Sequence, residues 1–181
     1  MKQLSDEKLM GLVQQGKVNY MELLFTRYQK PLYNYFLKCT YDQEESQDLT
    51  QNAFIRVMKY RQTYRTDLGF RNWLFRIARN LVMDHYRGKK VVHESYDSME
   101  YDIEDKAGTE ADERDENEQK LYAALDQMPD DKRELLVMSK LQGMKYEDIA
   151  AIRETSVGAI KVQVHRAVAS LRKIYFDDID R

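Results

Sequence analysis

Residues 146–173 read YEDIAAIRETSVGAIKVQVHRAVASLRK. A short helix from about Tyr146 to Arg153, a turn at Glu154 and Thr155, and a longer helix capped by Ser156 make a helix-turn-helix. On the longer helix Val157, Ile160, Val164, Val168 and Leu171 recur at helical spacing and form the inward stripe. Its other side carries Gly158, Ala159, Val162, Gln163, Arg166, Ala169 and Lys173, flanked by Lys161, His165 and Arg172. Small residues near the N-terminal end allow close approach of the backbone, and Gln163 and Arg166 can donate to base edges or phosphates in a major groove. The competing reading is an ordinary helical hairpin with a charged outer face.

Upstream, Leu121, Ala124, Leu125 and Met128 mark one helix, and Pro129 with two aspartates opens another through RELLVMSKL, which Gly143 closes. Before these lies HESYDSMEYDIEDKAGTEADERDENE, residues 93–118, acidic and poor in aliphatics, which reads as a flexible linker. Formal charge divides along the chain as +7 for residues 1–93, −10 for 94–118 and +1 for 119–181, so the overall −2 hides a basic front half. Beside basic surfaces the acidic run reads either as a solvated, extended chain or as a competitor for phosphate that holds the free protein closed.

The front half also has helical periodicity. Leu9, Leu12 and Val13 mark a short helix ended at Gly16, and Leu23, Leu24, Tyr28, Leu32, Tyr35 and Phe36 mark a second that runs past Pro31. A third, from about Glu45, puts Leu49, Ala53, Val57 and Tyr60 inward and Asp48, Gln51, Asn52, Ile55 and Lys59 outward. That outward face reads as solvated surface with one stray isoleucine or as a protein-binding face. A fourth, from about Phe70 in FRNWLFRIARNLVMDHYRGKK, turns Leu74, Ala78, Leu81 and His85 inward. Arg76, Arg79, Asn80, Met83 and Arg87 line its outward side, with Trp73 at the edge. Trp73 and Phe75 are core residues on one reading. On the other, arginines that neutralise phosphate and rings that stack on unpaired bases make a single-strand surface.

The fold class is therefore all-α: two small helical domains, 1–92 and 119–181, joined by the acidic linker 93–118, the C-terminal one with the helix-turn-helix. The single cysteine, Cys39, excludes an intramolecular disulfide, and no CxxC or HExxH spacing suggests a metal site. The N-terminal MKQLSDEKLMGLVQQGK lacks the apolar run of a signal peptide, no stretch suits a membrane span, and a reducing cytoplasm fits. His85, His93 and His165 are scattered, and no carboxylate or metal cluster supports an enzyme. A conventional helix-turn-helix regulator would bind duplex DNA alone, without need of the 48–59 face or the aromatic-basic helix.

DLTQNAFIRVMK at 48–59, FRNWLFRIARNLVMDHYR at 70–87 and the 146–173 stretch together resemble the sigma-70 family of bacterial transcription initiation factors, in its small extracytoplasmic-function (ECF) group. The resemblance implies that Asp48, Gln51, Asn52, Ile55 and Lys59 bind core RNA polymerase. It implies that Tyr64, Arg65, Arg71, Asn72, Trp73, Arg76, Arg79, Asn80, Met83 and Arg87 recognise and melt the −10 promoter element, capturing the non-template strand. Arg153, Thr155, Ser156, Gly158, Ala159, Lys161, Val162, Gln163, His165 and Arg166 would read the −35 element as duplex. Catalysis, magnesium and nucleotides belong to the polymerase, so the chain itself needs no cofactor and no small-molecule substrate. An anti-sigma protein, in many such systems membrane-anchored, is implied as a partner. Four positions depart from the family pattern: Asn52 stands where Glu is common, Glu154 where Gly is usual, Lys145 where a capping Ser or Thr is customary, and Gln163 where a basic residue is frequent.

Overall fold

A computed structural model describes residues 4–95 and 112–177, and these are helical, with no strand among the described residues. The N-terminal half comprises α1 (Asp6–Gln14), α2 (Met21–Thr40), α3 (Gln43–Tyr60) and α4 (Phe70–Ser95). The C-terminal half comprises α5 (Asp112–Asp126), α6 (Asp130–Leu136), continued by a π-helical turn at Val137–Leu141, α7 (Tyr146–Arg153) and α8 (Val157–Asp177). Of the stretch read as linker, residues 93–95 finish α4 and 112–118 open α5, while the rest lies outside the described residues. Glu, Arg and Gln favour helix intrinsically, so DERDENEQK extends the apolar-patterned Leu121 segment backwards by about two and a half turns.

Local chemistry sets the helix ends. The Ser5 hydroxyl accepts from the Lys8 N–H at 3.4 Å and the Asp42 carboxylate from the Glu45 N–H at 3.0 Å, each satisfying a donor that the first turn leaves free. Gly143, at φ +60°, ends the π-helical turn, with the Met144 N–H reaching back to the Met138 carbonyl at 3.0 Å. Pro31 lies inside α2 without ending it, although an interior proline costs about 3 kcal/mol or more. Burial of Leu24 and Tyr28 before it, and of Leu32, Tyr35 and Phe36 after it, offsets that cost, at roughly 1.5–3 kcal/mol for each large apolar side chain. Leu23 and Tyr60, both read as inward-facing, are exposed. Leu24 and Val57 take the buried positions, and Tyr60 falls at the frayed end of α3 beside the 61–63 turn.

The chain entering α4 is fastened by α1. The Gln14 side-chain amide donates to the carbonyls of Arg61 and Tyr64 at 2.9 and 3.0 Å, and the Glu7 carboxylate accepts from the Phe70 N–H at 3.3 Å. Phe70, buried, meets Tyr28 edge-on at 5.4 Å and Tyr64 at 6.1 Å between ring centroids, and Tyr64 meets Trp73 at 5.2 Å.

The core does not divide between the halves. One cluster of buried side chains runs from Leu9 and Met10 through Phe36, Phe75 and Val82 into Leu135, Met138, Ile149, Ile152 and Val164. A smaller one, Leu125, Met128, Leu136 and Ala167, joins α5, α6 and α8. Helix α4 lies between the halves, against α2 and α3 on one side and against α6 and α7 on the other. The two helical regions expected from the sequence are both present, and their buried side chains also meet each other, because the side of α4 that periodicity turns outward is covered.

Candidate nucleic-acid interface

The helix-turn-helix forms as the sequence predicts. Helix α7 ends at Glu154, which adopts the left-handed conformation, φ 54° and ψ 47°, at the position where glycine is usual. Its N–H and that of Thr155 both return to the Ala150 carbonyl, closing the turn. The Ser156 hydroxyl then accepts from the Ala159 N–H at 3.1 Å and starts α8. Lys145 occupies the N-cap position of α7 with an extended backbone and contributes no side-chain cap. On α8, Ile160, Val164 and Ala167 are buried, and Lys161, Val162, Gln163, His165 and Arg166 are exposed together on the other side, as is Gly158 near its start. Ala167 belongs to the buried stripe and escaped the periodicity reading, which ran through Val164 and Val168.

The candidate −10 residues divide into groups. Arg65, Arg71, Asn80 and Arg87 are exposed, and Asn72, Arg76, Arg79 and Met83 are half-buried. Trp73, read at the edge of the outward stripe, is 8% exposed, and Tyr64 is buried beside it. Their rings face each other and Phe70, which spends on internal packing the surfaces that a base would stack on. His85 is structural, its Nδ1 3.0 Å from Glu45 Oε1.

The guanidinium groups of α4 meet carboxylates of the C-terminal half. Arg71 lies 3.2 Å from Asp148, and Arg76 lies 2.8 Å from Glu154 while donating to the Ala151 carbonyl at 2.8 Å. Arg79 bridges Asp131 at 2.9 Å and Glu134 at 3.3 Å. Arg153, a candidate −35 residue, pairs with Asp131 and lies 3.9 Å from Glu134, leaving its side chain only 7% exposed. Its printed partners all belong to the C-terminal half, where it holds the same two carboxylates that Arg79 meets from α4; the sequence reading had placed it among the groove-facing residues. Around these pairs the Arg133 guanidinium sits 3.8 Å from the centre of the Tyr86 ring, Tyr41 packs on Tyr122 at 4.3 Å, and the Lys38 ammonium donates to the Leu141 carbonyl.

Glu134 lies at the centre of the seam, 0% exposed, accepting a hydrogen bond from the Tyr35 hydroxyl at 3.1 Å. Burial pushes its carboxyl above the usual range, and Arg79 and Arg153 oppose that shift. Burial, reinforced by the Glu134 charge, raises Tyr35 well above its ordinary value. Asp131, Glu134, Asp148, Arg133 and Tyr86 were absent from the sequence-derived site. The available signal was a pair of acidic first turns, Asp130–Asp131 in α6 and Glu147–Asp148 in α7, opposite a basic stripe.

On α3, Asp48, Gln51, Asn52, Ile55 and Lys59 are all exposed, with Ile55 at 62%, against buried Leu49, Ala53 and Val57. Gln51 also borders a groove of about 380 Å³ between α2 and α3, walled by Phe25, Tyr33 and Thr50.

Residues 24–91 match the family model for sigma-70 region 2 and residues 118–171 that for sigma-70 region 4. The RNA polymerase sigma-H factor of Pseudomonas aeruginosa is 32% identical over 94% of each chain. The chain belongs to the sigma-70 family. Within it, this sigma-70 factor is also 28% identical to the ECF RNA polymerase sigma factor SigX of Bacillus subtilis, over 84% of this chain and 81% of SigX, and falls in the ECF group. Among solved structures, CnrH in complex with the cytosolic domain of CnrY superposes with a TM-score of 0.70 at 22% identity, covering 96% of this chain and 98% of that one. The sigma factor RpoE of Bartonella quintana, solved with the anti-sigma factor NepR, gives 0.61 at 21% identity, covering 89% and 98%. A sigma-70 factor is a non-catalytic initiation subunit, so the promoter and polymerase surfaces of this one are its working parts.

Proposed function

We propose that this sigma-70 factor works through three surfaces. Its α3 face, Asp48, Gln51, Asn52, Ile55 and Lys59, docks on core RNA polymerase, with the isoleucine as an apolar anchor inside a polar rim. Helix α4 and the segment before it engage the −10 element, where Arg65, Arg71, Asn72, Arg76, Arg79, Asn80, Met83 and Arg87 hold the non-template strand. Tyr64 and Trp73 serve that surface by fixing the first turn of α4. The N-terminal part of α8 enters the major groove at −35 through Thr155, Ser156, Gly158, Ala159, Lys161, Val162, Gln163, His165 and Arg166. The observation that carries this reading is the unbroken exposed face of α8 set on a well-formed turn. Binding energy does the work: contacts to an unstacked base offset the few kcal/mol, approximately, that unpairing it costs.

Residues 1–92 form the polymerase and −10 unit, 119–181 the −35 unit, and the acidic stretch 93–118 the connection. The factor operates in the cytoplasm, and an anti-sigma protein covers one or more of these surfaces. That partner is supported by the resemblance of the fold to RpoE, solved with the anti-sigma factor NepR. Transcription in vitro with purified factor and bacterial core polymerase on a genomic-fragment library tests the whole. Starts that appear only with the factor and share paired upstream elements are expected. Fragment binding without core, and no starts, would replace the reading with a stand-alone regulator.

A further inference from the structure

Arg153 has almost no surface left for DNA: its side chain is 7% exposed, and each of its guanidinium nitrogens faces a partner on another helix of the C-terminal half. Nη2 donates to the Asp131 carboxylate and, at 3.4 Å, to the Asp131 carbonyl, while Nε lies 3.9 Å from Glu134 Oε2. Both of these partners stand on α6, and they fix the plane of the guanidinium at the end of α7. The remaining nitrogen, Nη1, is thereby aimed across to α8, where it donates to Gln163 Oε1 at 3.4 Å.

That contact decides which end of the Gln163 amide remains available. A guanidinium carries donors only, so the amide atom that faces it is the carbonyl oxygen. The amide nitrogen is left for the outside, and Gln163 is exposed on the same side of α8 as Lys161, Val162 and Arg166. A glutamine with both ends free brings a donor and an acceptor to a base edge and suits adenine, whose N6 and N7 it engages together. A glutamine whose oxygen is engaged brings hydrogens alone. Guanine offers those hydrogens two acceptors in the major groove, O6 and N7, whereas adenine sets its one acceptor beside an amino donor and thymine has O4 only.

We propose that Arg153 is a positioning residue of the −35 reader: held by Asp131 and Glu134, it occupies the Gln163 oxygen and turns that side chain into a donor-only probe, which selects a G·C pair over an A·T pair where it meets the groove. The inference rests on the reading of α8 as the −35 surface. It draws on no contact between the two halves of the chain, because Asp131 and Glu134 lie on α6, Arg153 on α7 and Gln163 on α8. A residue that never touches DNA thus sets the polarity of one that does.

The test uses the full-length factor with core polymerase on a promoter recovered by the fragment-library transcription, its −35 region randomised and each template barcoded, so that sequencing the transcripts gives a base preference at every position. Q163A locates the position that Gln163 reads. R153K is the central variant: its ammonium keeps a charge beside Asp131 and Glu134 but lacks the fork that reaches Gln163 as well. Circular dichroism melts check that both variants fold. In wild type, G·C should lead A·T at the Gln163 position by at least about fivefold. In R153K the freed amide oxygen should swing that one position toward A·T by at least about fivefold, with preferences elsewhere in the element unchanged. Adding Q163A should erase the R153K effect, which a general loosening of the domain would not allow. A loss of preference spread across the whole element in R153K makes Arg153 merely structural and overturns the proposal. A·T leading in wild type overturns it whether or not R153K folds, and so does an R153K profile identical to wild type; in both cases a position that responds to Q163A keeps α8 as the −35 reader. If Q163A alters no position, the proposal falls together with the reading of Gln163 as a base contact.

Discussion

Replacing Glu134 should separate the cost of its charge from the cost of losing its hydrogen bonds. Its side chain is fully buried, accepts from the Tyr35 hydroxyl at 3.1 Å and from Arg79 Nε at 3.3 Å, and lies 3.9 Å from Arg153 Nε. E134A strands a buried tyrosine hydroxyl and strips one partner from an arginine that is itself only 7% exposed. Removing one side of a buried pair costs about 3–5 kcal/mol, and because Asp131 still faces both arginines, about 3 kcal/mol is expected. With a urea dependence of about 2 kcal/mol per molar for a chain of this size, the unfolding midpoint should fall by roughly 1.5 M. E134Q keeps an acceptor for Tyr35 without a buried charge and should stay within about 1 kcal/mol of wild type.

The pH dependence has a definite sign. The folded state raises the Glu134 carboxyl, so its contribution is full below the unfolded carboxylate value, near 4.3, and is lost as pH rises through the folded value. Wild type should therefore lose stability relative to E134Q as pH rises through that window. Urea titrations of the three proteins at several pH values check both statements. A glutamine variant as unstable as the alanine variant, or a wild-type advantage that grows with pH, would refute the argument.

I55R, in an exposed anchor with no packing role, should weaken binding to core polymerase at least tenfold in a pull-down or titration while moving the melting temperature by less than about 2 °C. Because buried side chains of both halves belong to one cluster, urea unfolding followed by Trp73 fluorescence and by far-UV circular dichroism should give coincident curves; a Trp73 transition resolved from the helical one would refute the shared core. Cys39 is buried, and desolvation chiefly, with the Glu134 charge, pushes its thiol far above the usual value. Its reaction with a disulfide reagent at pH 8 should be slow in the native protein and fast in urea, with fast native labelling as the refuting result.

What could be read along the chain was local. The boundaries of α7, the Ser156 cap and the exposed face of α8 follow from spacing, and the structure reproduces them. The inward side of α3 was legible for Leu49, Ala53 and Val57 but failed at Tyr60, where a helix end lets a side chain escape its periodicity. What was hidden is non-local. Periodicity identifies a polar side of α4, but whether water, DNA or Asp148, 77 residues away, meets Arg71 there depends on tertiary packing. Trp73 illustrates the same limit: helical angle put it near the polar stripe, and the Tyr64 ring, brought up from the segment before α4, covers it beside its helix neighbour Phe70.

The order of the ion pairs along the chain has a consequence during synthesis. Arg76 leaves the ribosome about 75 residues ahead of the end of α7 that will cover it, the separation between Arg76 and its acceptor Ala151. At about 5–20 residues per second, that interval is roughly 4–15 s. During it a nascent chain presents the basic α4 segment with no carboxylates of the C-terminal half opposite. A newly made factor is thus briefly unguarded while still tethered to its message, and its rate of translation sets how long any nearby polymerase, nucleic acid or inhibitor has to reach it first.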